Sequence, residues 1–254
     1  MTDSRFTLSG FALAAALGLT VSPAVAQEAT YSFDSPLYSQ YNWRGINVVN
    51  GAVWQPSIDV AYGALSFNFW TNYELTGVSA YTGKGRFTEL DTTVTYSGGA
   101  ADVDWSVGLI HYQFPSVGAA STAELFGSVS RPMRGFDTTF SAYFDIDQIN
   151  GTYFNLALDR DLGTISSPTS AQEIGFSWGT AVGFGDKSHN LGYYGNNKAG
   201  LADFALYGGF YTTVSDTTDV YLTFQYSTLL DSGSLAGAPN RTNFVTGVGF
   251  SVGF

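Results

Sequence analysis

Residues 65–75 read LSFNFWTNYEL, and polar and apolar residues alternate along this stretch. One face is apolar and carries Leu65, Phe67, Phe69, Tyr73 and Leu75. The other face carries mostly polar side chains: Ser66, Asn68, Asn72 and Glu74. Successive side chains of a β-strand point to opposite sides, so this period of two predicts a strand with one apolar and one polar face.

The same alternation returns along the rest of the chain, in about twelve segments. The segments lie near 31–43, 53–62, 64–75, 86–97, 102–113, 122–131, 135–147, 151–160, 172–185, 200–213, 218–229 and 242–254. Several of them reach the roughly 9–11 residues that a tilted strand needs to cross a bilayer. We therefore predict an all-β fold, an antiparallel transmembrane β-barrel of about twelve strands, within a range of about 10–14.

The connections between these segments alternate in length as well. The longer connections are 44–52, 76–85, 114–121, 186–199 and 230–241. Gly63 and residues 215–217 mark tight turns on the other side. Long loops on one side and short turns on the other are typical of outer-membrane barrels. Two connections depart from the pattern, because 148–150 is short for its side and 161–171 is long, which leaves the sides of both open.

Alternation alone does not tell which solvent the apolar face meets, since a soluble barrel turns that face inward and a membrane barrel turns it toward lipid. Only 12% of the residues are charged. A barrel of about twelve strands is also too wide to fill with apolar side chains. Aromatic residues recur near segment ends, as in the girdles at bilayer interfaces. The predicted interface aromatics are Trp43, Trp54, Tyr62, Tyr73 and Tyr96, together with Tyr41 and Tyr112. These features favour lipid outside the barrel.

The two ends of the chain carry export and assembly signals. Residues 1–26 combine a short apolar stretch with the small-x-small sequence Ala24-Val25-Ala26. This predicts a signal peptide cleaved after Ala26, rather than a buried N-terminal helix, and a barrel over 27–254. The final amphipathic strand ends on Phe254, which resembles the signal read by the barrel-assembly machinery. We expect export to the bacterial outer membrane.

Composition excludes several other classes of protein. The chain has no Cys and two His, which excludes a thiolate metal site and disfavours a histidine metal centre. A formal net charge of −11 argues against a nucleic-acid partner, because phosphate binding needs basic clusters. No segment after residue 26 has the roughly 18 consecutive apolar residues of a membrane helix. We therefore expect no metal and no cofactor.

A resemblance to a known family covers only the first part of the mature chain. The sequence Tyr41-Asn42-Trp43-Arg44-Gly45-Ile46 is followed by Gly51, by QPSIDVAY at 55–62 and by FWTN at 69–72. This resembles the first hairpin of the TorF-like family of outer-membrane porins, which carries a Y-x-W-R-G element, a short loop with Gly and two following strands. The resemblance implies an outer-membrane barrel and a channel, with no catalytic residues to transfer.

Strand parity predicts which charged side chains line the lumen. The acids on the non-apolar parity are Asp59, Glu74, Asp91, Asp104, Glu124, Asp145, Asp159 and Glu173. In a membrane barrel such carboxylates would favour cations in the pore, although they could also merely solvate the interior or pair with arginine. Arg44 has two interpretations: a lumen contact for anions, or an interfacial arginine paired with an acid beside Trp43, which we favour.

Catalytic interpretations have little support in the sequence. His111 lies late in a strand and His189 in a loop, and no G-x-S-x-G element accompanies either. The pairs Asp145 with Asp147 and Asp102 with Asp104 match an omptin-like protease only in spacing, so we predict no enzyme activity. Residues 192–197, GYYGNN, form either a recognition loop or, as we favour, a plain mobile loop.

Together these features predict a porin-like channel for passive diffusion of small polar solutes or ions through an acidic lumen. The alternative is a non-conducting barrel that acts as a structural or interaction protein of the envelope, since side chains can plug a barrel of this size. An outer-membrane lipid enzyme is a third, weaker hypothesis. The expected partners are outer-membrane lipid, small solutes and the assembly machinery.

Overall fold

Twelve antiparallel strand positions close into a barrel in the computed structural model, which describes residues 28–77, 84–166, 173–230 and 241–254. The strands are β1 (Thr30–Asp34), β2 (Leu37–Tyr38), β3 (Tyr41–Trp43), β4 (Ile46–Val49), β5 (Val53–Trp54), β6 (Ser57–Tyr62), β7 (Leu65–Glu74), β8 (Arg86–Ala100), β9 (Val103–Gln113), β10 (Thr122–Met133), β11 (Phe136–Asp145), β12 (Thr152–Ser166), β13 (Glu173–Gly185), β14 (Gly200–Ser215), β15 (Thr218–Leu229) and β16 (Thr242–Gly253). A helix, α1 (Lys187–Tyr194), lies between β13 and β14. The predicted fold class and strand count are confirmed.

The barrel closes through its first and last strands. β1 and β2 are two pieces of the first strand position, and β5 and β6 are two pieces of the second. β7 to β16 then follow in sequence order, each antiparallel to the next. β16 pairs with β1, where Phe33 lies opposite Val252, and with β2, where Leu37 lies opposite Val248. The closed sheet leaves no free edge in the membrane, as a transmembrane barrel requires.

The two faces of the wall differ in their aromatic residues. The outward face is dominated by exposed Phe, Leu and Val side chains, among them Phe67, Phe69, Phe140, Phe210, Phe244 and Val248. The inward face carries buried tyrosines, among them Tyr112, Tyr143, Tyr153, Tyr207 and Tyr221. Phenylalanine needs no hydrogen-bond partner in lipid, whereas a buried tyrosine hydroxyl does. An apolar band this extensive is rare on soluble monomers, and its solvent is therefore lipid.

The barrel has two distinct ends. At the inner end the first and last strands meet, because Tyr31 and Phe254 exchange backbone hydrogen bonds, and tight turns lie at 63–64, 101–102, 134–135 and 216–217. At the outer end lie the longer connections and α1. The 148–150 connection belongs to a short outer hairpin after β11. Most of 161–171 is strand, because β12 continues past a bulge to Ser166. The 148–150 connection therefore lies at the outer end, and β12 runs to the inner end.

Some sequence predictions fall on residues that the structure does not describe. The signal peptide and its cleavage site after Ala26 lie outside the described residues, as do 78–83, 167–172 and 231–240. Among the residues that are described, no helix has the length and apolar character needed to cross a membrane.

Candidate functional site: the lumen and its closed outer end

A hairpin from the first two strand positions folds into the outer end of the lumen. β3 and β4 pair only with each other, and Trp43 lies opposite Ile46. The two turn residues both have positive φ, 45° at Arg44 and 77° at Gly45, which is the pattern of a tight β-hairpin turn. A Cβ at Gly45 would come within 2.8 Å of Asp203 and Leu229, so only glycine fits at this contact. The turn is thus pressed against the barrel wall.

Arg44 reaches across the lumen to Glu124 on β10. Its two terminal nitrogens donate to the two carboxylate oxygens at 2.8 and 2.7 Å. The guanidinium also lies 4.5 Å from the ring of Trp43, 4.7 Å from that of Tyr143 and 4.3 Å from that of Tyr153. Burial alone would lower the pKa of Arg44, but the Glu124 carboxylate, together with Tyr112 and Tyr153, outweighs this and raises the pKa above its ordinary value. Arg44 is therefore a buried, permanent cation.

Further polar contacts fix the hairpin to β15 and β16. The Asn42 amide donates to the Ser227 hydroxyl. The Asn243 amide donates to the Gly45 carbonyl at 3.2 Å, and the Asn47 amide donates to the Asn243 side-chain oxygen at 3.0 Å. With Arg44 bound to β10, the hairpin is attached to both sides of the lumen and spans it.

Helix α1 packs beside the hairpin and completes the closure. Asp186 caps its N-terminus by accepting from the His189 backbone N–H, and Gly195 ends it in the left-handed conformation. The Tyr194 hydroxyl donates to the Arg44 carbonyl at 3.0 Å, which ties the helix to the hairpin turn. The Tyr193 hydroxyl donates to Asp145 on β11 at 3.2 Å. The mobile-loop and recognition-loop interpretations of 192–197 are wrong for these tyrosines, because both fold inward.

His189 lies at the centre of this aromatic group. Its ring centroid is 5.1 Å from that of Tyr153, 4.7 Å from that of Tyr193 and 5.6 Å from that of Tyr194. It is fully buried, and neither ring nitrogen has a hydrogen-bond partner among the described residues. Burial, helped by the charge of Arg44, lowers the pKa of His189 to about 2, against a smaller opposing effect of Asp145. The ring is therefore neutral at physiological pH.

Apolar packing surrounds these polar contacts. A buried cluster in the outer half of the lumen joins residues of five strands and α1: Ile110, Tyr112, Tyr143, Tyr153, Tyr194, Ala202 and Leu229, with Ile46, Phe114, Phe126 and Tyr193 against it. Burial of such side chains stabilises the docked position by roughly 1.5–3 kcal/mol for each large one. The outer half of the lumen therefore has a packed core of its own.

The inner half of the lumen has a different surface, made of acids paired with tyrosines. The hydroxyls of Tyr221, Tyr207 and Tyr211 donate to Asp34 at 2.7 Å, to Asp159 at 2.8 Å and to Asp161 at 2.9 Å. The tyrosine rings lie flat on glycines of the neighbouring strands. At Gly179, for example, a Cβ would come within 2.5 Å of the Tyr207 ring. Small residues thus let the rings lie along the wall instead of filling the lumen.

The acids that parity selects fall into two groups. Glu74, Asp91, Glu124 and Asp145 lie in the outer half, and Glu124 and Asp145 bind the hairpin and α1 as described. Asp59, Asp104, Asp159 and Glu173 lie in the inner half. Asp59 accepts from the Asn68 amide at 2.8 Å, and Glu173 accepts from Thr164 at 2.7 Å. Arg44 pairs with an acid beside Trp43, as the favoured interpretation expects, but the pair is buried in the lumen and does not lie at the bilayer interface.

The predicted girdle needs a correction. Trp54, Tyr62, Tyr73 and Tyr96 lie on the outward parity, with Tyr62 and Tyr96 at the inner end and Trp54 and Tyr73 toward the outer end. Trp43 does not lie there, because the hairpin carries it inward to Arg44 and Tyr193. Tyr41 and Tyr112 are likewise buried inside. Proximity to a segment end does not distinguish a girdle aromatic from one on an inward-folded hairpin.

Sequence reasoning missed several lumen residues. Asp34, Glu89 and Asp203 share the inward face with the predicted acids, and Asp203 accepts from the Tyr153 hydroxyl at 2.8 Å. The alternation of Phe with Tyr along the strands was a usable signal for the inward face. Parity could also have placed His111 on the outward face, beside the exposed Leu109.

Comparison with known proteins gives a likeness of fold. No protein-family model and no curated protein matches the chain. Among solved structures, it is similar to the NanC porin at 12% identity and a TM-score of 0.50, over 87% of this chain and 98% of that one. An outer membrane channel from Pseudomonas putida F1 matches at 9% identity and a TM-score of 0.48, over 89% and 94% of the two chains.

Fold and surface together define the class of protein. A closed antiparallel barrel with an apolar outer band and a polar interior is an outer-membrane β-barrel protein. The outer end of this barrel is closed by its own hairpin and helix.

Proposed function

We propose that this protein is a porin-like channel for passive diffusion of small polar solutes or ions, with a preference for cations. The observation that carries the proposal is the acid-lined inner half of a closed barrel, with Asp34, Asp59 and Asp159 on the lumen wall. The basic residues of this end do not balance them, because Arg131 pairs with Asp102 on the rim, Arg134 lies in a turn and Arg160 points outward over Phe136. Carboxylates on a pore wall attract cations and repel anions.

The closed outer end favours a second candidate function. A hairpin that spans the lumen, with a packed core around it, would make a non-conducting barrel if it never moves. Such a barrel would serve as a structural or interaction protein of the envelope. The two functions differ in whether the hairpin leaves the lumen, and conductance reports this directly.

Catalysis has weaker support than either. His111 faces outward, and both ring nitrogens of His189 are without a hydrogen-bond partner among the described residues. A Ser–His or Asp–His mechanism needs that hydrogen bond to activate a nucleophile or water. The resemblance to the TorF-like family and the recognition of Phe254 by the assembly machinery stay predictions, and both agree with a channel.

Planar-bilayer recording of the refolded 27–254 chain under a potassium chloride gradient tests the proposal. We expect discrete conductance steps with a reversal potential that favours potassium. The steps should be rare, because the hairpin closes the outer end most of the time. Asp59→Asn combined with Asp159→Asn should move the reversal potential toward zero. Asp102→Asn, which removes an exposed rim acid, is the matched control and should leave it nearly unchanged. Conductance steps that favour anions would overturn the assignment of an acidic, cation-selective lumen. Absence of conductance from folded, inserted protein, even when the hairpin has been released from the lumen, would favour the non-conducting barrel.

A further inference from the structure

The pocket that holds Arg44 belongs almost entirely to the barrel wall. Glu124 lies on β10, Tyr112 on β9, Tyr143 on β11 and Tyr153 on β12. Tyr112 donates to the Glu124 carboxylate at 2.9 Å and thereby orients it from the wall side. Tyr153 is held in turn by its hydrogen bond to Asp203. Because these four side chains are fixed by adjacent strands, the pocket does not depend on the hairpin for its shape.

We propose that Tyr112, Glu124, Tyr143 and Tyr153 form a binding site for guanidinium compounds, and that Arg44 occupies this site as a tethered ligand. The site, called here the guanidinium cage, takes one planar cation between two tyrosine rings and a carboxylate. It is a binding function in addition to the proposed channel, and it does not depend on conduction.

The geometry selects guanidinium over other cations. Both oxygens of Glu124 accept hydrogen bonds from the same guanidinium, at 2.7 and 2.8 Å, and only a planar fork makes two such parallel bonds. The rings of Tyr143 and Tyr153 lie 4.7 and 4.3 Å from the guanidinium carbon, within the range of cation–π attraction. An ammonium ion would keep the charge but lose the second hydrogen bond.

The backbone of the hairpin turn does not itself require an arginine at position 44. A non-glycine residue in the left-handed region costs about 1–2 kcal/mol, and φ at Arg44 is 45°. Glycine would meet the turn geometry without that strain. Ala101 and Arg134 have similar φ values of 57° and 53° in other tight turns of the barrel, so the side-chain contacts of Arg44, and not its φ, indicate a ligand.

A free guanidinium compound would compete with Arg44 for the cage. A short tether gives an effective concentration in the millimolar range, so a free ligand of the same intrinsic affinity must reach about that concentration to displace Arg44. Displacement would detach the hairpin from β10 while Asn42 and Asn243 still hold its other side. Ligand binding and detachment of the hairpin from β10 are therefore linked.

The test uses Arg44→Gly, which empties the cage and keeps the turn geometry. The refolded full-length mature chain in detergent is titrated with guanidinium chloride by calorimetry, at constant ionic strength set by potassium chloride. We expect one binding site in Arg44→Gly. Adding Glu124→Gln should weaken binding about tenfold to a hundredfold, as loss of hydrogen bonds to a charged group does. Arg131→Ala, which exposes Asp102 at the rim, is the matched control and should show no site.

Two results would overturn the inference. One is a folded Arg44→Gly protein that binds no guanidinium, or that binds it equally well with Glu124→Gln. The other is equal binding of tetramethylammonium, which would make the cage a general cation site. If Arg44→Gly does not fold, Arg44→Lys replaces it. The lysine competes without a planar fork, so guanidinium should still bind, and more tightly than in the wild type. No binding to Arg44→Lys would also contradict the inference.

Discussion

Two arginine–carboxylate pairs in this barrel have the same N–O distance of 2.7 Å and very different surroundings. Arg44–Glu124 closes the outer end, and its side chains are 9% and 1% exposed. Arg131–Asp102 lies on the inner rim, and its side chains are 51% and 54% exposed. Removing one partner of a buried pair typically costs about 3–5 kcal/mol, because the other charge stays buried alone, whereas an exposed pair contributes about 0–1 kcal/mol.

The comparison teaches that position in the barrel, more than contact distance, sets what an ion pair does. Water and salt screen the rim pair, which joins neighbouring parts of one wall. The buried pair joins an inserted hairpin to the opposite wall, with aromatic rings in place of water. Its loss should therefore change the shape of the lumen, whereas the loss of the rim pair should change little.

The largest effect is expected from Glu124→Ala. This change leaves the Arg44 guanidinium buried without a counter-charge and should destabilise the docked hairpin by about 3–5 kcal/mol. Open-channel probability in planar bilayers should rise strongly. Arg44→Met combined with Glu124→Leu removes both charges, so the channel of this double variant should stay mostly closed. A closed Glu124→Ala channel would show that the pair does not hold the hairpin.

Gly45→Ala should have the next largest effect, because it leaves the ion pair intact and disturbs only the turn. The added Cβ meets Asp203 and Leu229 at 2.8 Å, and φ of 77° strains any residue but glycine. We expect a loss of about 1–3 kcal/mol in hairpin docking, seen as a smaller rise in open probability. Gly118→Ala is the control, because Gly118 also has a positive φ but open space around it. This variant adds the backbone strain without the Cβ contact.

The stability of the outer end should depend on pH through His189. The pKa of His189 falls from 6.5 to about 2 in the folded state, so the unfolded state binds more protons below pH 6.5. The stability of the docked α1 should therefore decrease as the pH falls from about 6.5 toward 2. His189→Phe keeps the aromatic packing and should flatten this dependence in thermal melts in detergent. An equal pH slope in both proteins would contradict the neutral, buried assignment.

The smallest effect is expected from Arg131→Ala. The pair is half exposed, so its loss should change the free energy of unfolding by no more than about 1 kcal/mol and leave the open probability unchanged. Urea unfolding in lipid vesicles gives the first quantity and bilayer recording the second. A large change in either would mean that the rim pair has a role that its exposure does not indicate.

The wall of the barrel could be predicted from sequence because the alternation is local. Each strand carries its own two-residue period, as in 65–75, and parity alone placed Asp59, Glu124 and Asp159 on the inward face. The hairpin could not be predicted in this way. Residues 41–43 continue the alternation of the first segment and 44–52 has the length of an outer loop. What folds them inward is their fit to residues of β10, β14 and β15 that lie far away in the sequence.

The positions of Trp43 and Tyr193 likewise could not be predicted from local sequence. An aromatic residue near the end of a strand satisfies a girdle and a lumen plug equally well, and only the partner ring at 4.9 Å decides between them. The pairing of Arg44 with an acid could be anticipated, because an arginine that is removed from water needs a counter-charge. Its partner could not, because Glu124 lies on the opposite wall.

The most direct measurement uses the fact that the chain has no cysteine. Asn42→Cys with Ser227→Cys, two side chains in contact, should lock the hairpin to β15 when oxidised. In the Glu124→Ala background we expect the oxidised channel to be closed and a reducing agent to open it, with cation-favouring steps. Equal conductance before and after reduction, with the disulfide verified by mass, would contradict a hairpin that closes the outer end.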